Sequence, residues 1–369
     1  MSTLKDLPWK TRGNTLGNVL LLAVLLAVQS PVDSVHIVTR DIPNFWRAYD
    51  LAAGKDSPER VRIFETVYLQ PGSPGLRDWM RERLMNRDTV RARLIAAGWR
   101  AGQLDSLSRD SLDRVNAPFA EHSAAEGLLV ALAQYPRYYA AIRPATLSVD
   151  TNVAIKQGIH HGLIKLAELY PEARFRDVYF LIGNLYTGGT IGRTGMLIGT
   201  EQYASSPDTP RDELPAWAQA ATRVNDFSSI VGLVVHESVH TLQKPKPRGQ
   251  KATLLRDVLS EGIPDFLAEL AVGPSRANTP RLIYGRAHEH DVWVDFQDEM
   301  ETDSTTKTWM YNGMVPADKN HGAVDIGYWV GYRIAGAYYA RATDKRAAVR
   351  ELVELRDPEA ILRASGYNP

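Results

Sequence analysis

Residues Phe227–Gln243, FSSIVGLVVHESVHTLQ, decide how the chain is read. Apolar residues (Ile230, Val231, Leu233, Val234, Val235, then Val239 and Leu242) flank the polar ones on both sides, the pattern of a helix buried nearly all round. His236, Glu237 and His240 stand within it as HExxH. Residues four apart share a helix face, so both imidazoles point the same way and suit one metal ion. Glu237 is placed to take a proton from a metal-bound water. Two histidines and a glutamate in so apolar a setting need partners, and a metal supplies one. The competing reading is an ordinary helix whose polar side chains find hydrogen bonds.

Composition narrows the classes. The chain has 369 residues, 43 basic and 43 acidic, with 44% hydrophobic residues and no cysteine. That is enough to bury a large core, as one big domain or as a catalytic domain with an added lobe. A zero charge balance argues against nucleic acid or an acidic membrane surface as the main partner. Without thiolates, any metal must be held by histidines and carboxylates.

Residues 1–30 read as a signal peptide or an amino-terminal anchor. Lys5, Lys10 and Arg12 precede an apolar run, Val19 to Val28. The run is short against the roughly 20 residues of a membrane span. Val28 and Ser30 offer small residues before a cut, whereas Pro31 disfavours cleavage, so an uncleaved anchor stays open. With no cysteine following, a lipoprotein is not expected. The protein is therefore expected to be exported, to a bacterial periplasm or beyond, or else anchored to the inner membrane.

Residues 31–146 read as a helical lobe with the segments DIPNFW, YLQPGSPGL and YPRYY; the last is expected to pack rather than to bind. From 147 to 369 the pattern changes. Asn152 to Leu169 is helical, and Asp177–Gly183 and Met196–Glu201 read as strands. Gly188-Gly189-Thr190 between them is expected to turn, and an extended polypeptide is expected to lie alongside Gly192 to Gly199.

A catalytic zinc takes three protein ligands and leaves one position open. Glu261, in LSEGIPDFLAEL (residues 259–270), follows the second histidine on a separate predicted helix, with Ser260 as cap and Glu261 in the first turn. The alternative for Glu261 is a helix-start carboxylate favoured by the dipole.

At this point the sequence resembles the zinc metallopeptidases called gluzincins, in which a glutamate ligand follows HExxH, in thermolysin-like members as ExxxD. Glu261-Gly-Ile-Pro-Asp265 matches that pattern except for Pro264, where the family often has a small polar residue. The resemblance implies Glu261 as third ligand of one zinc ion and Asp265 as a carboxylate orienting a bound imidazole. Gluzincins commonly stabilise the oxyanion with a Tyr or His, which in HGAVDIGYWVGYRIAGAYY (residues 321–339) implies Tyr328 first, then His321, with Tyr332 also in range. Over most of residues 36–341 the chain is also similar to an uncharacterised bacterial family of predicted zinc-dependent proteases.

The expectation is an α+β fold, mainly helical: a zincin-like catalytic domain with a small sheet beside the HExxH helix, and an amino-terminal helical lobe. The expected function is zinc-dependent peptide hydrolysis of a peptide or protein substrate, with His236, His240 and Glu261 as ligands and Glu237 as base. Two alternatives stand beside it: another amide or ester as substrate, or a non-catalytic exported binding or envelope-assembly factor on the same scaffold.

Overall fold

Residues Asp177–Leu181 (β2) and Gly195–Gly199 (β4) bury almost every side chain, as strands covered on both faces do. They pair in parallel, from Asp177 against Gly195 to Leu181 against Gly199. Ile37–Val38 (β1) adds to the far side of β2, and Gly189–Ile191 (β3) pairs antiparallel with β4, giving the order β1-β2-β4-β3. The computed structural model describes residues 32–369 apart from 225–226, 275–278, 304 and 314–318, so the expected export signal lies outside the described residues.

Two expectations are corrected here. Gly188–Thr190 is not a simple turn, because Gly189 and Thr190 begin β3. Gly195–Gly199 has a strand on either side and cannot receive another, so the edge beside the HExxH helix is β3.

The amino-terminal segments pack directly on this sheet. Asp41, in the first turn of α1 (Asp41–Ala52), accepts a hydrogen bond from Ser73 N at 2.9 Å and so joins DIPNFW to YLQPGSPGL. Tyr68 donates to the Ile182 carbonyl at 2.7 Å. From α2 (Pro136–Ser148), Tyr139 donates to Gly183 O at 2.7 Å and Tyr138 to Glu201 O at 2.6 Å. Each buried hydroxyl thus finds a partner, and residues 31–369 form one unit.

Behind the sheet runs α3 (Val153–Leu169), capped by the Asn152 side chain, then the HExxH helix α4 (Ile230–Leu242). Next comes α5 (Leu254–Val272), which starts earlier than expected. Thr253 caps it, the Ser260 hydroxyl bonds back to Asp257 O at 2.7 Å, and Glu261 lies in the helix interior. Pro264 lacks the N–H that would bond Ser260 O four residues back. That carbonyl instead accepts from Gln243 Nε2 at 2.7 Å, which ties the end of α4 to α5.

Helix α6 (Pro280–Ala287) leads on towards α7 (Ile326–Arg341), which crosses α5 at very close range. Gly331 of α7 and Gly262 of α5 face each other there, and a Cβ on Gly262 would overlap the Gly331–Tyr332 peptide. Among the described residues the fold is mainly helical with one small sheet, as expected of an α+β chain.

Candidate metal centre and cleft

Helix α4 holds His236 and His240 on one face, and α5 brings Glu261 against them. The two Nε2 atoms are 3.1 Å apart, and Glu261 Oε2 lies 3.2 Å from that of His240 and 3.5 Å from that of His236. A metal 2.0–2.1 Å from each of three tetrahedral ligands would set them about 3.3 Å apart, so this triangle is the size of one face of such a tetrahedron. It is the one group of this kind among the described residues.

Acceptor oxygens stand beside the other ring nitrogens. His236 Nδ1 lies 2.8 Å from Asp265 Oδ1, and His240 Nδ1 lies 2.8 Å from Gln243 Oε1. Because Gln243 donates its amide N–H to Ser260 O, its oxygen is the atom left to face His240. Gln243 thereby holds His240 with Nδ1 protonated, and the two Nε2 atoms converge beside a carboxylate oxygen. Three converging acceptors repel one another unless a cation joins them, so the donor set fits a metal. Without one, a proton takes its place. Burial alone would lower the His240 pKa, but the charge and hydrogen bond of Glu261, with Glu237 and Gln243, bring it up to about 9. Burial likewise raises Glu261, and the two histidines outweigh it, holding the carboxyl well below its usual range.

Asp265 is itself gripped by Arg281 of α6 at 2.8 Å, and the Arg281 guanidinium lies 4.4 Å above the Tyr328 ring. Tyr328 stacks on His236, with ring centres 6.5 Å apart and 17° between planes. Tyr311 donates its hydroxyl to Glu261 Oε1 at 2.7 Å.

These groups floor a cleft of about 860 Å³. Its opposite wall is β3, which packs on α4 so tightly that a Cβ at Gly189 would stand 2.6 Å from Glu237 Oε1. Rings of Tyr186 and Trp217, 5.9 Å apart, sit at the rim, and Arg83 reaches over to donate to Thr190 Oγ1 at 2.8 Å.

The structure brings together His236, Glu237, His240, Glu261, Asp265 and Tyr328. It does not bring His321, which is absent from the cleft lining. His321 stacks on Trp309 at 4.0 Å, with Asp295 and Glu299 at 3.7 and 3.8 Å. Tyr332, one turn beyond Tyr328, bonds Glu269 at 2.9 Å instead. Gln243, Arg281 and Tyr311 escape the sequence reading. Pro264 is the signal for Gln243, since it frees the carbonyl that orients that side chain; Tyr311 lies on a distant loop with no local signal.

A family model for gliding motility protein GldB matches residues 131–369. The chain belongs to that family. Searches of curated proteins and of solved structures return no match. The matched region contains the whole metal centre and most of the sheet. This assignment overturns the gluzincin reading and with it the expectation of a zinc metallopeptidase, because the family is a motility family and not a peptidase family. HExxH is a short pattern, and its geometric content is a pair of ligands with a neighbouring carboxylate; hydrolysis does not follow from it. Membership in GldB agrees with the non-catalytic alternative. No helix among the described residues is long and apolar enough to cross a membrane.

Proposed function

We propose that the chain is a non-catalytic docking factor of the bacterial envelope that serves the motility role of its family by binding an extended segment of a partner protein. Zinc, held by His236, His240 and Glu261, would tie α4 to α5 and so fix the floor of the cleft. The observation that carries this reading is the outer edge of β3, on which no strand among the described residues pairs. Gly192 N donates to Gly195 O and Gly199 N to Gly188 O, at 2.8 Å each. Antiparallel pairs alternate, so Thr190 bonds towards Leu197 while the N–H and C=O of Gly189 and Ile191 turn away from β4. A polypeptide laid along β3 would pair with those groups, and its side chains would meet the Tyr186–Trp217 rings and the metal centre.

The test is peptide-array binding by the zinc-loaded chain, with metal content measured on the same sample. Ile191→Pro removes one outward N–H and leaves the pairing with β4 intact. Binding of one class of extended peptide, lost in Ile191→Pro and kept in Glu237→Gln, is the expected result. Cleavage of the bound peptides that disappears in Glu237→Gln would overturn the proposal.

A further inference from the structure

The two oxygens of Glu261 have different neighbours. Oε2 completes the triangle with the two Nε2 atoms, whereas Oε1 accepts the Tyr311 hydroxyl at 2.7 Å. The Tyr311 contact is built rather than incidental. Tyr311 holds φ at 55°, in the left-handed region where a bulky residue is strained, and its side chain is 63% exposed, so burial does not draw it there.

The following residue locks it in place. Asn312 is fully buried; its Nδ2 donates to Thr308 O at 2.6 Å, its N to Asp325 Oδ1 at 3.3 Å, and its Oδ1 accepts from Asp325 N at 2.8 Å. Asp325 is itself left-handed, with φ at 56°. Asn312, bonded to Asp325, thus anchors the loop that delivers one phenol to one carboxylate oxygen, and the Tyr311 ring meets the edge of Tyr328 at 6.4 Å and 82°.

We propose that Tyr311 is a positioning residue of the metal centre: by occupying Oε1 it restricts Glu261 to a single ligating oxygen, leaving the ion short of ligands and open to a donor that arrives in the cleft. A carboxylate with no such partner is free to bind through both oxygens and close that position. The inference rests on the zinc reading of the site. It gives the docking proposal a chemistry, since the arriving segment would present a ligating side chain, such as a carboxylate or imidazole, beside the β3 pairing.

The experiment compares the full chain with Tyr311→Phe, each loaded with cobalt(II) as a spectroscopic stand-in for zinc, together with zinc affinity by chelator competition. Removing the hydroxyl while keeping the ring is expected to leave the fold unchanged, which circular dichroism checks. The visible cobalt band is expected to weaken in Tyr311→Phe as coordination rises, with a shift of roughly 10-fold or more in zinc affinity, the usual scale for a group that orients a ligand. A cobalt band superposable on that of the wild type would overturn the role of Tyr311. A wild-type chain that takes up neither ion would overturn the metal centre itself, and the two failures are distinguished by that measurement.

Discussion

Gly331→Ala tests the helix crossing on which the centre stands. A Cβ on Gly331 would lie 2.6 Å from the Val258 carbonyl carbon and nearer still to its oxygen. Ordinary contacts begin at 3.4 Å, so at the Val258 carbonyl oxygen α5 and α7 must part by about 1.5 Å. Both partners are helix backbone, which has no rotamer by which to yield. The seam holds Val258, Leu259, Ile263 and Leu267 of α5 against Ile326, Val330, Ile334 and Ala335 of α7, all buried. A gap of that width removes about half or more of their dispersion attraction where it opens fully. Overpacking of this sort costs about 1–3 kcal/mol or more, against a gain of about 1 kcal/mol from replacing a helical glycine.

The net expectation is a loss of up to about 2 kcal/mol, seen as a lower urea midpoint at unchanged slope, or loss of the soluble protein. Gly336→Ala on the same helix is the control. Its Cβ would stand 3.5 Å from the Phe266 ring, an ordinary contact, so that variant should match or slightly exceed the wild type. If the two variants fall within about 0.5 kcal/mol of each other, the close crossing does not carry the stability assigned to it.

Glu201 offers a second test. Burial lifts its carboxyl to about 7, above the ordinary 4.5, so the folded state favours the neutral acid; its stabilising contribution is complete below 4.5 and is lost as pH rises through about 7. Glu201→Gln keeps an acceptor for Leu185 N, so urea unfolding should find it level with wild type near the acid end and more stable, by up to about 3 kcal/mol, above neutrality; an equal difference at both pH values would refute this. A proton on His240 competes with the ion, so apparent zinc affinity should climb by up to about tenfold per pH unit below about 9 and level off above it. A flat profile by chelator competition would mean that His240 is not a ligand.

The convergence of His236, His240 and Glu261 was legible because its signals are local. His236 and His240 share a face by helical spacing alone, and Glu261 and Asp265 lie one turn apart on the next helix, so both can face α4. The strands around Val178 and Met196 read correctly because their apolar runs are short and bounded by glycine. β3 was illegible for the converse reason: it is three residues long, flanked by glycines, and partly exposed. His321 was misplaced because nothing in the sequence shows that it and Asp325 adopt left-handed backbone, at φ 52° and 56°, and that the loop stacks its imidazole on Trp309. The start of α5 was missed because Ser260 is a good cap by type, yet Thr253 caps earlier and Ser260 bonds inward. The activity was misread for a different reason. Ligand spacing brings donor atoms together, and donors so placed do not by themselves specify hydrolysis.

That distinction has a physical basis in how the parts connect. His236 and His240 lie on α4, Glu261 on α5, and Gln243 joins the same two helices through the carbonyl that Pro264 leaves free. α5 is pressed on α7 at Gly262 and Gly331, and α7 carries Tyr328 back onto His236. A cation among the three ligands would close this ring of helices and hold α4 rigid beneath β3, where Glu237 lies against Gly189. Occupancy of the three-residue site would then bear on the shape of the edge strand, because α4 and β3 pack directly on each other. For a docking protein this arrangement makes the ion a condition of binding. For a hydrolase it would serve mainly to aim Glu237 at a substrate, so the Glu237→Gln comparison separates the two.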